Sequence, residues 1–325
     1  MEKRIIASHA CDIIPLFSKR LHGGESLVNV NGLQLAYETF GSPKDPAILL
    51  IMGLAMQSVH WDERFCRQLA AKGYYVIRFD NRDIGHSSFL NHLRTPSLWE
   101  LFSYRYLFKK SGVQYTLNDM AADAFGLLNV LGVKHVHLVG ASMGGMIAQC
   151  MTIKAPHRVL SLANIMSSSG NLDIVRPKLK LLRHCTRPIP LEEERYKTKA
   201  LKIWRVLSGN HYLEDEKRIT NTLMEARTRG HNHAGILRQL AAVLSAPERR
   251  PKLLQIHAPT LVIHGSDDPV IPVKCADELS SFIPGSKKVI IDGMGHTLPE
   301  ALWPTFIAEI EENIQKAPSS PHSDF

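Results

Sequence analysis

The chain has 325 residues, 44% apolar and 22% charged, with a formal charge of +8, which is enough for one large globular domain carrying an insertion. No apolar run approaches the roughly 18 residues of a membrane span, and the basic residues are scattered rather than blocked together, which argues against an integral membrane segment and against nucleic-acid binding. Five cysteines, at 11, 66, 150, 185 and 275, form no CxxC pair and are odd in number, so neither zinc nor a disulfide framework is expected and a reduced, cytoplasmic chain is.

In chain order, "MEKRIIASHACDIIPLFSKR" is broken by His9, Asp12 and Pro15, so residues 1–25 read as an N-terminal extension and not as a signal peptide. "SLVNVNGLQLAYETFG" reads as a hairpin turning at Asn31-Gly32, where a positive φ is cheap. Short apolar runs follow at 47–52, 74–79, 135–140, 159–165, 260–265 and 288–292, with helical patterns between them. That alternation predicts an α/β fold: a mostly parallel central sheet with helices on both faces and an antiparallel edge. The basic and aromatic stretch from Leu101 to Lys110 is expected to be a helix packed on its own domain.

One helix is expected over 117–132, stopping at Gly132, and another after Gly144, stopping before Pro156. From 167 to 250 the strand rhythm disappears. Three apolar stripes replace it: Ala200, Ile203, Trp204 and Leu207; Ile219, Leu223 and Ala226; Ile236, Leu240 and Val243, with Gly209 and Gly230 as stops. This predicts a helical cap at 167–250 inserted between core segments 26–166 and 251–316, and a disordered tail at 317–325.

The chemistry gathers at strand ends. "HVHLVGASMGGMIAQ" carries Gly140-Ala141-Ser142-Met143-Gly144, a G-x-S-x-G string between a predicted strand and a predicted helix. A sharp turn there lifts the serine hydroxyl to the top of the sheet, and small flanking residues allow it. A serine nucleophile needs a base and the base needs an orienter. "VIIDGMGHTLPE" places His296 in a glycine-rich loop after the last apolar run, the expected base. His264 reads as packed within the sheet edge; His60, His86 and His157 read as surface or loop residues, His86 in a loop that could border the site. An oxyanion needs backbone N–H donors, expected from Met143 and from the Gly53-Leu54 loop after "AILLIM".

Together "LLIMGLAMQSVHWDE", "YVIRFDNRDIGHSS", "HVHLVGASMGGMIAQ", "LVIHGSDDPVIP" and "IDGMGHTLP" resemble the α/β-hydrolase superfamily from about Ser26 to Ile314, most closely the branch of aclacinomycin methylesterase and related carboxylesterases. The resemblance implies Ser142 as nucleophile, His296 as base, and Leu54 with Met143 as oxyanion donors. The family pattern G-x-x-D-x-x-x-P falls on Gly265, Asp268 and Pro272, so Asp268 is the implied orienter and Asp267, one residue out of register, a turn-stabilising or solvent-facing carboxylate. Asp80 and Arg82 resemble loop-fixing residues. The stretch "FLNHLRTPSLWELFSYRYLFKKSGVQ" is longer than the family pattern, so the substrate does not transfer.

A serine at 142 argues against dehalogenase and epoxide-hydrolase chemistry, which uses a carboxylate nucleophile. The expected activity is hydrolysis of a carboxylic ester of a small, largely apolar molecule through an acyl-enzyme, without metal or organic cofactor. The acyl pocket is expected to be lined by cap residues, with Trp204, Leu207 and Leu240 as candidates, although apolar stripes of this kind are more often core than substrate contacts. Thioester, lactone or C–C bond hydrolysis on the same three residues is the alternative, as is a non-catalytic small-molecule receptor on the same fold. Oligomeric state is not legible.

Overall fold

The computed structural model describes residues 19–20, 24–107, 112–171, 173–175, 188–190, 192–209, 211–212 and 214–318. Most of the expected N-terminal extension and tail, Cys11, Cys185, Lys109 and Lys110 lie outside the described residues.

The edge of the sheet is antiparallel. Strand β1 (Lys19–Arg20) pairs with β2 (Ser26–Val30), which turns into β3 (Leu33–Phe40). Asn31 and Gly32 both take positive φ at that turn, 51° and 79°, as the Asn-Gly pair requires. The sheet therefore reaches back into the stretch read as an extension.

Strands β4 (Ala47–Ile51), β5 (Tyr75–Phe79), β6 (Val136–Ala141), β7 (Val159–Ile165), β8 (Thr260–Gly265) and β9 (Lys287–Ile291) run parallel, and the full order is β1-β2-β3-β5-β4-β6-β7-β8-β9. Their continuous apolar runs are what a sheet covered on both faces demands. In β4, Leu49 and Ile51 face helices α3 (Leu117–Val130) and α4 (Met143–Lys154). Ile48 and Leu50 face α1 (Glu63–Ala71) and α10 (Trp303–Gln315). Gly132 follows α3 with φ of 71°, the left-handed position that ends it.

Helix α2 (Leu98–Tyr106) packs Leu101 and Tyr104 against Leu237, Leu240 and Ala241. The helices of the insertion are α5 (Glu193–Ser208), α6 (Glu216–Arg229) and α7 (His233–Ser245), with Gly209 and Gly230 as the C-terminal caps of the first two. The short α8 (Arg250–Leu253) and α9 (Lys274–Phe282) complete the chain. Among the described residues no helix is long and apolar enough to cross a membrane.

Buried ion pairs fasten the insertion to the sheet's upper loops. Arg238 on α7 pairs with Asp83 at 2.7 Å, and Arg229 on α6 contacts Asp80 and Glu25, each at 2.5 Å. Asp80 also accepts from the backbone N–H of Ser58 and His86, and Arg82 pairs with Asp123 on α3. Both Asp80 and Arg82 hold loops in place.

Candidate active site

β6 ends in the turn that carries Ser142. This residue has φ 56° and ψ −120°, a conformation that costs a side-chain-bearing residue about 1–3 kcal/mol. The surrounding contacts hold it there. Ser142 N–H donates to the Ile165 carbonyl at 2.9 Å, and its own carbonyl accepts from Gly145 N–H at 3.0 Å and the Ser167 hydroxyl at 2.8 Å. The flanking glycines are a packing requirement: a Cβ on Gly140 would overlap the Gly144 backbone, and one on Gly144 would overlap the Ile51 carbonyl.

His296 follows β9 in the loop Gly293–Thr297. Its Nε2 stands 2.9 Å from Ser142 Oγ and its Nδ1 2.6 Å from Asp268 Oδ2. The carboxylate is acceptor-only, so the imidazole hydrogen sits on Nδ1 and Nε2 is left to accept from the serine hydroxyl.

Asp268 comes from the loop after β8 with a side chain 0% exposed. Its Oδ1 accepts from the backbone N–H of Val270 and Ile271, both at 2.8 Å. Burial works to raise its pKa. The charge of His296 and the hydrogen bonds from His264 and His296 outweigh burial and hold the carboxyl well below the usual range. Asp267 is exposed and accepts from the Ser266 hydroxyl.

Gly53 brings the Leu54 loop against Ser142: a Cβ at Gly53 would lie 3.0 Å from Ser142 Cβ. Met143 is the first residue of α4, so its N–H is one of those that no intrahelical carbonyl can accept, at the positive end of the helix dipole. The Leu54 loop is braced by α7. Gln239, 0% exposed, accepts from Ala55 N–H through Oε1 at 3.1 Å and donates from Nε2 to the Arg82 carbonyl at 2.8 Å.

Ser142, His296 and Leu54 line a cavity of about 240 Å³ walled by Trp61, Phe65, Tyr196, Trp204 and Trp303. Of the three candidates from the cap stripes, Trp204 and Leu207 lie in its wall. Leu240 does not. It sits on the α7 face that packs against α2. His60, expected to be a surface or loop residue, lines this cavity and stacks on Trp204 with ring centroids 6.1 Å apart. Burial pulls its pKa down to about 4, so the ring is uncharged near neutral pH. His86 instead pairs with Glu25 at 2.6 Å. His264 lies in the interior strand β8, flanked by β7 and β9, rather than at a sheet edge.

Three contacts of the site had no local signal in the sequence: Gln239 to Ala55, His264 beside Asp268, and Leu207, whose carbonyl accepts from His296 N–H at 2.7 Å. Among the described residues no group of three His, Cys, Asp or Glu side chains could hold a metal ion.

A doubly covered parallel sheet, a serine on a strained turn after its central strand and a histidine loop after its last one define the α/β-hydrolase class of fold. The chain belongs to that family: residues 46–300 match the α/β-hydrolase fold family. Similar proteins include rhodomycin D methylesterase DnrP of Streptomyces peucetius, 29% identical over 84% of this chain and 92% of that one. Rhodomycin D methylesterase DauP of Streptomyces sp. (strain C5) is 27% identical over 87% of this chain and 96% of its own. Among solved structures, that of a membrane phospholipase A is similar with a TM-score of 0.67 and 25% identity, covering 90% of this chain and 87% of the other.

Proposed function

We propose that the protein is a serine hydrolase that cleaves a carboxylic ester of a small, largely apolar molecule. The observation that carries this reading is the relay from Ser142 Oγ through His296, at 2.9 Å, to the buried Asp268 carboxylate, at 2.6 Å, opening on an aromatic-walled cavity. The similarity to two methylesterases supports ester chemistry.

In the proposed mechanism His296 Nε2 takes the Ser142 proton as Oγ attacks the ester carbonyl. The oxyanion is held by the N–H groups of Leu54 and Met143, the second reinforced by the α4 dipole. His296 then gives the proton to the leaving alkoxide, and the alcohol departs from an acyl-Ser142 ester. Water, deprotonated by His296, attacks that ester, and the collapse of the second tetrahedral adduct returns the proton to Ser142 and releases the acid. Asp268 keeps the imidazole in the required tautomer throughout.

The aromatic walls favour an apolar acyl or alcohol part over a charged one. We place the enzyme in the cytoplasm, a reading supported by the free, buried thiols of Cys66, Cys150 and Cys275.

The test is a panel of p-nitrophenyl and methyl esters of graded chain length, assayed with the wild type and Ser142→Ala. Hydrolysis by the wild type and none by the variant is expected. A wild type inert towards every ester, thioester and lactone, yet binding one of them tightly, would sink the enzyme reading.

A further inference from the structure

β8 delivers a second imidazole to Asp268. His264, 0% exposed, places Nε2 2.8 Å from the Ile271 carbonyl oxygen and 3.4 Å from Asp268 Oδ2. That carboxylate oxygen is the one facing His296 Nδ1 at 2.6 Å. Both neighbours of His264 Nε2 are acceptors only, so the ring hydrogen must sit on that nitrogen. Its Nδ1 is buried with no hydrogen-bond partner, and a hydrogen there would be an orphaned donor.

We propose that His264 is a positioning residue for the Ser142–His296–Asp268 unit: its Nε2–H, shared between the Ile271 carbonyl and Asp268 Oδ2, fixes the rotation of the carboxylate so that Oδ2 faces His296. This rests on the catalytic reading of those three residues. Oδ1 is already held by two backbone N–H groups, from Val270 and Ile271, but these alone allow the carboxylate plane to pivot about Oδ1. Oδ2 would otherwise depend on His296, whose charge changes in each half-reaction. His264 is a second donor to Oδ2 that takes no part in proton transfer, so the carboxylate stays aimed while His296 gains and loses its proton.

The other titratable groups nearby do not substitute for it. Asp267 is exposed and turned to Ser266, and Cys275 on α9 keeps its proton because burial pushes the thiol up to about 12. Asp292, the residue after β9, has its Oδ1 3.1 Å from the same Ser266 hydroxyl.

The experiment compares wild type, Ser142→Ala, His264→Leu, His264→Asn and His264→Gln on one ester, with full pH profiles and the folded fraction measured by circular dichroism. His264→Leu is expected to lower kcat roughly ten- to a hundredfold, the worth of a hydrogen bond to a charged group, with KM little changed. Loss of a donor concentrates charge on the carboxylate and favours a proton on the facing imidazole, so the acid limb of kcat/KM moves to higher pH. His264→Gln, whose amide nitrogen reaches the place of Nε2, restores both the rate and the limb; His264→Asn, one carbon short, does not.

A purely structural role would reduce activity in proportion to folded protein and leave the acid limb where it is, which would overturn the proposal. If His264→Leu does not fold, equal behaviour of the Asn and Gln variants would overturn it. An inactive Ser142→Ala beside unaltered His264 variants removes this proposal alone, whereas a fully active Ser142→Ala removes the catalytic reading and this one with it.

Discussion

The backbone N–H of His296 donates to the carbonyl of Leu207 at 2.7 Å, so the histidine loop is suspended from the last turn of α5. That carbonyl is one of the four at a helix C-terminus with no intrahelical donor, and the histidine loop supplies one. The approach is close: a Cβ on Gly295 would overlap the Leu207 carbonyl oxygen and the Ser208 backbone. Gly295→Ala is therefore expected to push α5 and His296 apart, lowering kcat at least tenfold and stability by about 1–3 kcal/mol, the usual cost of overpacking. Steady-state kinetics and a thermal melt check it; a wild-type kcat would show that the loop does not depend on this contact.

Adjacent carboxylates should behave in opposite ways. Asp268 is buried against His296, whereas Asp267 is exposed on the same turn. Asp268→Asn replaces an acceptor by an amide that can steer the imidazole into the wrong tautomer, so a fall in kcat of about 10⁴ is expected on the proposed mechanism. Asp267→Asn is expected to stay within a factor of a few of wild type. Reversed results in the same ester assay would reassign the orienter.

Much of this arrangement was legible in the chain because it is local. The strand ends agree within a residue, since a sheet buried on both faces demands unbroken apolar runs. Asn31-Gly32, Gly132, Gly209 and Gly230 marked their turns because only a few residues adopt positive φ cheaply. The turn at Ser142 was visible in its glycines, although α4 begins at Met143, before Gly144 and not after it. What could not be read were contacts made by distant segments. Nothing near Gln239 announces Ala55, 184 residues away, and nothing in the periodicity of α7 says that Leu240 faces α2 rather than the cavity. His60 reads as a surface or loop residue and His264 as part of a sheet edge, yet tertiary packing puts one against Trp204 in the cavity wall and the other, on an interior strand, against Asp268.

The brace on the Leu54 loop is open to direct test. Gln239→Met keeps the volume but removes the acceptor for Ala55 N–H, at a residue whose φ of 62° is already unfavourable for alanine. On the proposed mechanism a loop that can relax holds the oxyanion less well, so kcat is expected to fall roughly ten- to a hundredfold with KM nearly constant. A rise in KM at constant kcat would place Gln239 in ground-state binding instead.

Acid sensitivity has a second source outside the site. Burial lowers the pKa of His137 on β6 to about 4, from an ordinary value near 6.5, and its Nδ1 lies 2.9 Å from the Ser161 hydroxyl. The unfolded chain therefore binds a proton at His137 that the folded chain refuses. The stability associated with the uncharged ring is complete above pH 6.5 and is lost as pH falls towards 4, by roughly a few kcal/mol in the limit. Melting temperatures across that window are expected to fall, and less steeply in His137→Gln. Parallel slopes for the two proteins would rule His137 out as a contributor.

Asp80 and Asp83 are each 0% exposed, and their cationic partners, Arg229 and Arg238, come from the helical insertion. An insertion without those arginines would leave two buried carboxylates without their cations, a penalty of several kcal/mol each. The insertion is thus not an interchangeable module. A chimaera that exchanges it for that of another α/β hydrolase has to carry arginines in the same two places, or replace both aspartates with uncharged residues at the same time.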